Sequence, residues 1–178
     1  GLYALPIGPG KKFLSHGGPI GKLVGGWQLT FINTYQSGTP LTIYGGPALP
    51  LFGGGNRPNT VSGQRVVSWT GGKFDPAVNN MLNRAAFVDP PQFSIGDASF
   101  TQGAARSFPY FNENLGLIKS TPINERFRVE FRVEMFNAFN RTEFGGPDTN
   151  FDDTIGYGTI GSQENSPRQI QFYLKLLF

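Results

Sequence analysis

Residues 168–178 alternate without a gap: Ile170, Phe172, Leu174, Leu176 and Phe178 fall on one face, and Gln169, Gln171, Tyr173 and Lys175 on the other. Only Leu177 breaks the polar set. Strand side chains point to opposite faces with a period of two, so this pattern predicts a two-faced strand and excludes an amphipathic helix. A chain end frays unless something holds it. A closed membrane barrel holds its last strand by zipping it to the first. The expectation is an all-β fold: an antiparallel transmembrane β-barrel segment of about five strands.

Residues 126–136 repeat the pattern with charge. Phe127, Val129, Phe131, Val133 and Met135 alternate with Arg126, Arg128, Glu130, Arg132 and Glu134. Both runs reach the ~9–11 residues that a tilted spanning strand needs, against ~5–6 in ordinary globular strands. The charged side reads as a ladder facing the lumen. The two carboxylates, Glu130 and Glu134, share their face with Arg128 and Arg132, and neighbouring cations depress carboxylate pKa values, which suits structural pairing or a contact surface better than acid catalysis. Alternation alone also fits a soluble sheet with one wet face.

Composition is compatible with both. Hydrophobic residues make up 38 % of the 178 and mean hydropathy is −0.23; barrels share such values because half of each strand faces a polar lumen. Gly (25) and Pro (14) favour turns and loops over helices. No run approaches the ~20 apolar residues of a membrane helix. With no cysteine there is no thiolate metal site or thiol nucleophile. The net charge of +3 is spread along the chain, which argues against a nucleic-acid surface. Gly1-Leu2-Tyr3 carries neither Met nor a leader pattern, so the expectation is a processed start or the tail of a longer chain.

Further strands are expected near 1–7, 27–36 and 114–119, the last with Leu115 and Leu117 outward, and a tight turn at 120–125. Residues 11–26 read as a basic, Gly-rich connector, and a helical turn is expected near 76–82. Two long Gly/Pro/Asn-rich loops, 37–113 and 137–167, alternate with short connections. Barrels carry long extracellular loops and short periplasmic turns, so both loops are expected outside and the C-terminus in the periplasm. Five strands cannot close, which predicts the C-terminal part of a larger barrel.

Catalytic and metal chemistry finds little support. His16 is the sole histidine and lies in a Gly-rich turn, without an imidazole or thiolate to share a metal or a nucleophile to activate. Asp148, Asn150 and Asp152 imitate the start of a calcium loop, but Asp153 replaces the sharp-turn Gly and Thr159 the bidentate Glu, so an Asx-rich loop competes. The Gly21-Lys22 pair is no P-loop, because His16 stands where its leading Gly belongs. No cofactor is expected. Phe136, Phe139, Phe144 and Tyr157 read either as an interfacial aromatic girdle or as a loop-packing cluster.

Several segments in order resemble a known family. Tyr3 to Lys11 and Gly25-Gly26-Trp27-Gln28-Leu29 are similar to the Y-x-L-P-F-G-x-G-K and G-G-W-Q-L runs of TonB-dependent outer-membrane receptors, nearest the Oar-like group. Gln36 to Pro40, Gly55 to Asn59, Asn83 to Phe87, Phe131 to Asn140 and Pro167 to Gln171 resemble that group's Q-S-G-x-P, G-N-R-P-N, N-P-A-A-F, F-R-x-E-x-F-N-x-F-N and P-R-Q-I-Q segments. Ile7 stands for its Phe and Arg84 for its Pro. The resemblance implies a 22-stranded barrel with a plug, energised from the inner membrane, for uptake or surface binding. Implied partners are outer-membrane lipid, the rest of the barrel and its plug, TonB through an N-terminal part outside this chain, and the barrel-assembly machinery. For the last, the row Ile170, Phe172, Leu174, Leu176 and Phe178 resembles the C-terminal recognition signal. The rival from another class is a soluble or surface-attached β-sandwich that binds carbohydrate or protein. A barrel-embedded hydrolase lacks a catalytic set.

Overall fold

The computed structural model describes every residue except His16, Leu51, Phe52 and Gly54. The chain divides into two compact units: Gly1–Tyr35, Phe111–Thr142 and Ser166–Phe178 form the first, Gln36–Tyr110 and Glu143–Asn165 the second.

The first unit is a five-stranded antiparallel sheet made of β1 (Leu2–Ala4), β2 (Trp27–Gln36), β7 (Tyr110–Pro122), β8 (Arg128–Phe136) and β9 (Gln169–Leu177), in the order β1-β2-β7-β8-β9. The short strands that fall between β2 and β7 along the chain belong to the second unit. Among the described residues the sheet is open, with β1 and β9 at its edges. The two alternating runs pair as their chemistry demands. Val129, Phe131, Val133 and Met135 stand opposite Leu176, Leu174, Phe172 and Ile170. A one-residue slip would turn Arg128 and Arg132 into the apolar row, which fixes the register.

The strand bounds differ from the sequence pattern in instructive ways. β8 begins at Arg128, so Arg126 is not in the ladder. It lies in a turn over 123–127, where Asn124 Oδ1 accepts the amides of Arg126 and Phe127 at 3.0 and 2.8 Å. The turn therefore starts after Pro122, the last residue of β7, rather than at 120. β7 spans 13 residues in place of the expected six at 114–119. Its alternation is interrupted by Glu113 and Lys119, charges on the row of Leu115 and Leu117 whose partners are remote in sequence. β1 is confined to Leu2–Ala4. The connector that follows contains a short helix, α1 (Gly18–Val24), with Pro19 in its first turn and the Gly25 amide closing on Gly21 O at 2.9 Å. Gly26, at φ +74°, lets β2 approach β7: a Cβ there would sit 2.2 Å from Ser120 O.

The second unit has a buried core of its own, which the reading of two long loops did not anticipate. Its short strands are β3 (Pro40–Leu41) with β6 (Gln102–Arg106), and β4 (Asn59–Thr60) with β5 (Phe87–Val88). Ile43, Leu82, Ala86, Phe87, Ala98, Ala105, Phe151 and Tyr157 pack together, and a second cluster holds Phe74, Met81 and Ile160. The helical turn expected near 76–82 is a single turn, with the Asn79 amide on Asp75 O at 2.7 Å, and a 3-10 turn follows at Arg84–Ala86.

The motif residues earn their places here by closing this unit. Asn56 donates to Pro47 O and Ser94 O and accepts the Arg57 and Gly96 amides. Asn83 caps the 3-10 turn through the Ala85 amide and donates to Arg65 O at 2.8 Å. A Cβ at Gly38 would lie 1.8 Å from Ser107 O, so only glycine permits that approach. A sandwich needs two facing sheets that share a core. The buried clusters of described residues lie wholly in the second unit, outside the five-stranded sheet.

Candidate functional site

The five-stranded sheet presents two chemically opposed faces. Leu115-Met135-Ile170 and Leu117-Val133-Phe172 run across β7, β8 and β9 as apolar cross-strand rows, followed by Lys119-Phe131-Leu174 and Thr121-Val129-Leu176. Phe131 and Phe172 stack at 6.4 Å with their planes 21° apart. These groups stay accessible: Ile170, Phe172, Leu174 and Leu176 are all exposed. Contiguous exposed apolar surface of this kind marks an interaction or membrane face. Phe178, just beyond β9, is exposed as well.

The opposite face carries Arg128, Glu130, Arg132 and Glu134. Arg132 sits between two carboxylates, with Nη2 3.1 Å from Glu130 Oε1 and Nη1 3.3 Å from Glu134 Oε1. Glu130 stands opposite Lys175 and Glu134 opposite Gln171. Half-exposed pairs like these contribute about 0–1 kcal/mol each, so their effect is to hold charge in register more than to stabilise the sheet. Both glutamates are engaged by the same cation, Arg132.

Two polar devices escaped the sequence pattern. Where β7 begins, Glu113 is buried and receives Arg141 Nε at 3.0 and 3.2 Å. Nearby, Asn137 at φ 48° donates to Arg141 O and Ser166 O, and Asn140 at φ 52° accepts the Arg168 amide. Asparagine tolerates the left-handed region better than other residues, which gives the F-N-x-F-N segment its physical sense. Towards the other end of β7, Lys119 Nζ donates to Lys22 O at 2.7 Å and to Gly25 O, and lies 5.3 Å from the Trp27 ring. A Lys among leucines was the available signal for this device, but its acceptors lie almost a hundred residues away.

In the second unit, Arg84 lays its guanidinium 4.2 Å from the Phe151 ring, donating also to Phe151 O. Phe144 packs on Phe74 and Phe108, and Tyr157 is buried against Phe87 and Phe151. Those two therefore belong to loop packing, while Phe136 and Phe139 remain exposed in the first unit. Burial pushes the Tyr157 hydroxyl well above its ordinary pKa. Asp148, Asn150 and Asp153 turn their oxygens onto amides of their own loop, at 2.8 Å to Asn150, 3.1 Å to Asp152 and 2.8 Å to Gly156, as an Asx-rich loop does. An apolar groove of about 350 Å3 is lined by Ile43, Leu49, Arg57, Ile95 and Phe100, where Arg57 Nε is already committed to Gly96 O. His16 lies outside the described residues.

Against known families, residues 1–171 match the outer membrane beta barrel domain. No curated protein matches the chain, and no solved structure does. The match spans nearly the whole sequence, and the chain belongs to the outer membrane beta barrel domain family.

Proposed function

We propose that this member of the outer membrane beta barrel family is the C-terminal barrel region of a TonB-dependent receptor of the Oar-like group, serving energised uptake or surface binding of a substrate. The observation that carries the reading is the connectivity. The end of β2, the start of β7, the end of β8 and the start of β9 lie at one end of the sheet, by its antiparallel register. Both chain segments of the second unit leave from that end. The short turn over 123–127 and Phe178 belong to the other.

On this reading the apolar row faces lipid and the ladder of Arg128, Glu130, Arg132 and Glu134 faces the lumen and the plug. The folded insertions are extracellular, and the C-terminus is periplasmic. The free edge of β9 takes the first strand of the complete barrel, since lipid leaves no water to satisfy an open edge. The reading assigns a binding and transport role and no enzymatic one. A receptor that folds its loops into a compact unit presents a fixed recognition surface, which suits binding.

Two measurements test the reading. An epitope placed at Gly71-Gly72, exposed in the second unit, should be labelled on intact cells, and one at Asn124-Glu125 only after the outer membrane is opened. The complete protein should form an in vivo crosslink with TonB that depends on the proton-motive force. Surface labelling without any such crosslink would leave a surface-binding barrel and remove the transport role.

A further inference from the structure

The row that faces lipid on the reading above carries a cation, Lys119, aligned with Phe131 and Leu174. A lysine on a lipid face is costly unless its ammonium reaches a polar zone. Lys119 does so in a specific direction. Its ammonium donates to Lys22 O and Gly25 O, the carbonyls at the end of α1, and lies against the face of Trp27. The end of α1 is thereby fastened beside the apolar face, at the level of Lys119 and Trp27.

What α1 presents outward is then informative. Gly21 is buried, while Ile20 and Leu23, three residues apart and so neighbours on the helix surface, are 71 % and 73 % exposed. Phe13 and Leu14, just upstream, are exposed too. Lys11, Lys12 and Lys22 are exposed in the same segment, and no acidic residue occurs before Asp75. Exposed apolar side chains beside lysines, next to an aromatic at the edge of an apolar band, are the composition of an interfacial membrane segment. Lysines within a Debye length of an anionic leaflet are drawn to it.

We propose that α1 and the segment before it form an interfacial anchor. Ile20 and Leu23 enter the acyl boundary, and Lys11, Lys12 and Lys22 bind the headgroups of anionic phospholipid in the periplasmic leaflet. The anchor continues the lipid-facing row through Lys119 and Trp27. It rests on the barrel reading, and on the orientation that puts this end of the sheet in the periplasm.

The test uses the complete protein in native outer membranes, with the photoreactive residue p-benzoylphenylalanine introduced singly at Ile20, Leu23 or Leu174, and mass analysis of the adducts. Positions 20 and 23 should yield phospholipid adducts in which anionic headgroups are enriched roughly fivefold over their share of the membrane. Position 174 should yield phospholipid adducts without that bias. The triple variant K11Q/K12Q/K22Q should keep the adducts and lose the enrichment; enrichment that persists would overturn the headgroup assignment. Lipopolysaccharide, protein or no adducts at 20 and 23, with phospholipid adducts at 174, would overturn the anchor and leave the barrel standing. No lipid adduct at any of the three positions would overturn the barrel reading itself.

Discussion

Arg141 Nε lies 3.0 Å from Oε2 and 3.2 Å from Oε1 of Glu113, a carboxylate whose side chain is 3 % exposed against 47 % for the arginine. One partner is desolvated and the other wet, so the pair is asymmetric: the arginine gains little, while the glutamate depends on it. Arg141 also lies 5.8 Å from the rings of Phe111 and Phe139, which screens the contact. The pair ties β7 to the chain just beyond β8.

Truncating the arginine should therefore cost more than its exposure suggests. Arg141→Ala leaves the buried carboxylate without its cation, a defect worth about 3 kcal/mol, the low end for broken buried pairs because the arginine is half wet and the Tyr35 hydroxyl stays on Glu113. Urea unfolding in detergent measures it. Adding Glu113→Gln to Arg141→Ala should recover part of the loss; equal stabilities for the single and double variants would show that the carboxylate tolerates isolation.

Tyr157 offers a substitution expected to help. Its hydroxyl is buried and hydrogen-bonds to no described residue. An unmatched buried hydroxyl costs about 1–3 kcal/mol, so Tyr157→Phe should stabilise the second unit by about 1 kcal/mol while keeping the contacts with Phe87 and Phe151. Thermal melting followed through Trp69 checks it, and a fall in the midpoint would mean that the hydroxyl contributes after all.

Acid should loosen the second unit in a definite window. The Thr60 backbone amide, and then its hydroxyl, hold the Asp97 carboxyl below its ordinary value of 3.8, and the amides of Gly156 and Ile155 do the same for Asp153. A carboxylate with a depressed folded pKa contributes stability that is complete above its unfolded pKa and lost as pH falls through the folded one. Stability should therefore decline below about pH 4. Asp97→Asn should be weaker at neutral pH and show a shallower decline in acid; an unchanged acid limb would remove Asp97 from the account.

The two faces of β9 should respond oppositely to the same charge. Phe172→Arg puts a guanidinium on the apolar row, where lipid exposure costs about 2–4 kcal/mol near the bilayer centre. Gln171→Arg puts it opposite Glu134. Outer-membrane levels should fall sharply for the first and hold for the second; equal levels would contradict a lipid-facing row.

Removing Phe178 addresses assembly. A strand with alternating apolar side chains adds to a sheet edge through main-chain hydrogen bonds, and its side chains supply recognition. Deleting Phe178 from the complete protein should lower its outer-membrane level several-fold and leave ligand affinity of the purified protein intact. Normal levels with impaired binding would place Phe178 in a ligand site.

Local chemistry determined the sheet. Along 128–136 and 169–177 each side chain declares its face by alternation, because a strand's period is two, and the cost of a buried charge fixes which rows meet. Pairing, register and the two faces were therefore legible in residues such as Val133 and Phe172 or Arg132 and Glu134. Tertiary structure decided what depends on partners distant in sequence. Glu113 and Lys119 interrupt the alternation of β7, and the groups that receive them, Arg141 and the carbonyls of Lys22 and Gly25, lie far away along the chain. The stretches that read as loops lack periodicity because their core is drawn from single residues, Ile43, Leu82 and Tyr157 among them, brought together by Asn caps and close glycine approaches. A core assembled from isolated side chains on irregular backbone leaves no repeating signal along the chain, whereas a strand, whose neighbours are set by its own geometry, does.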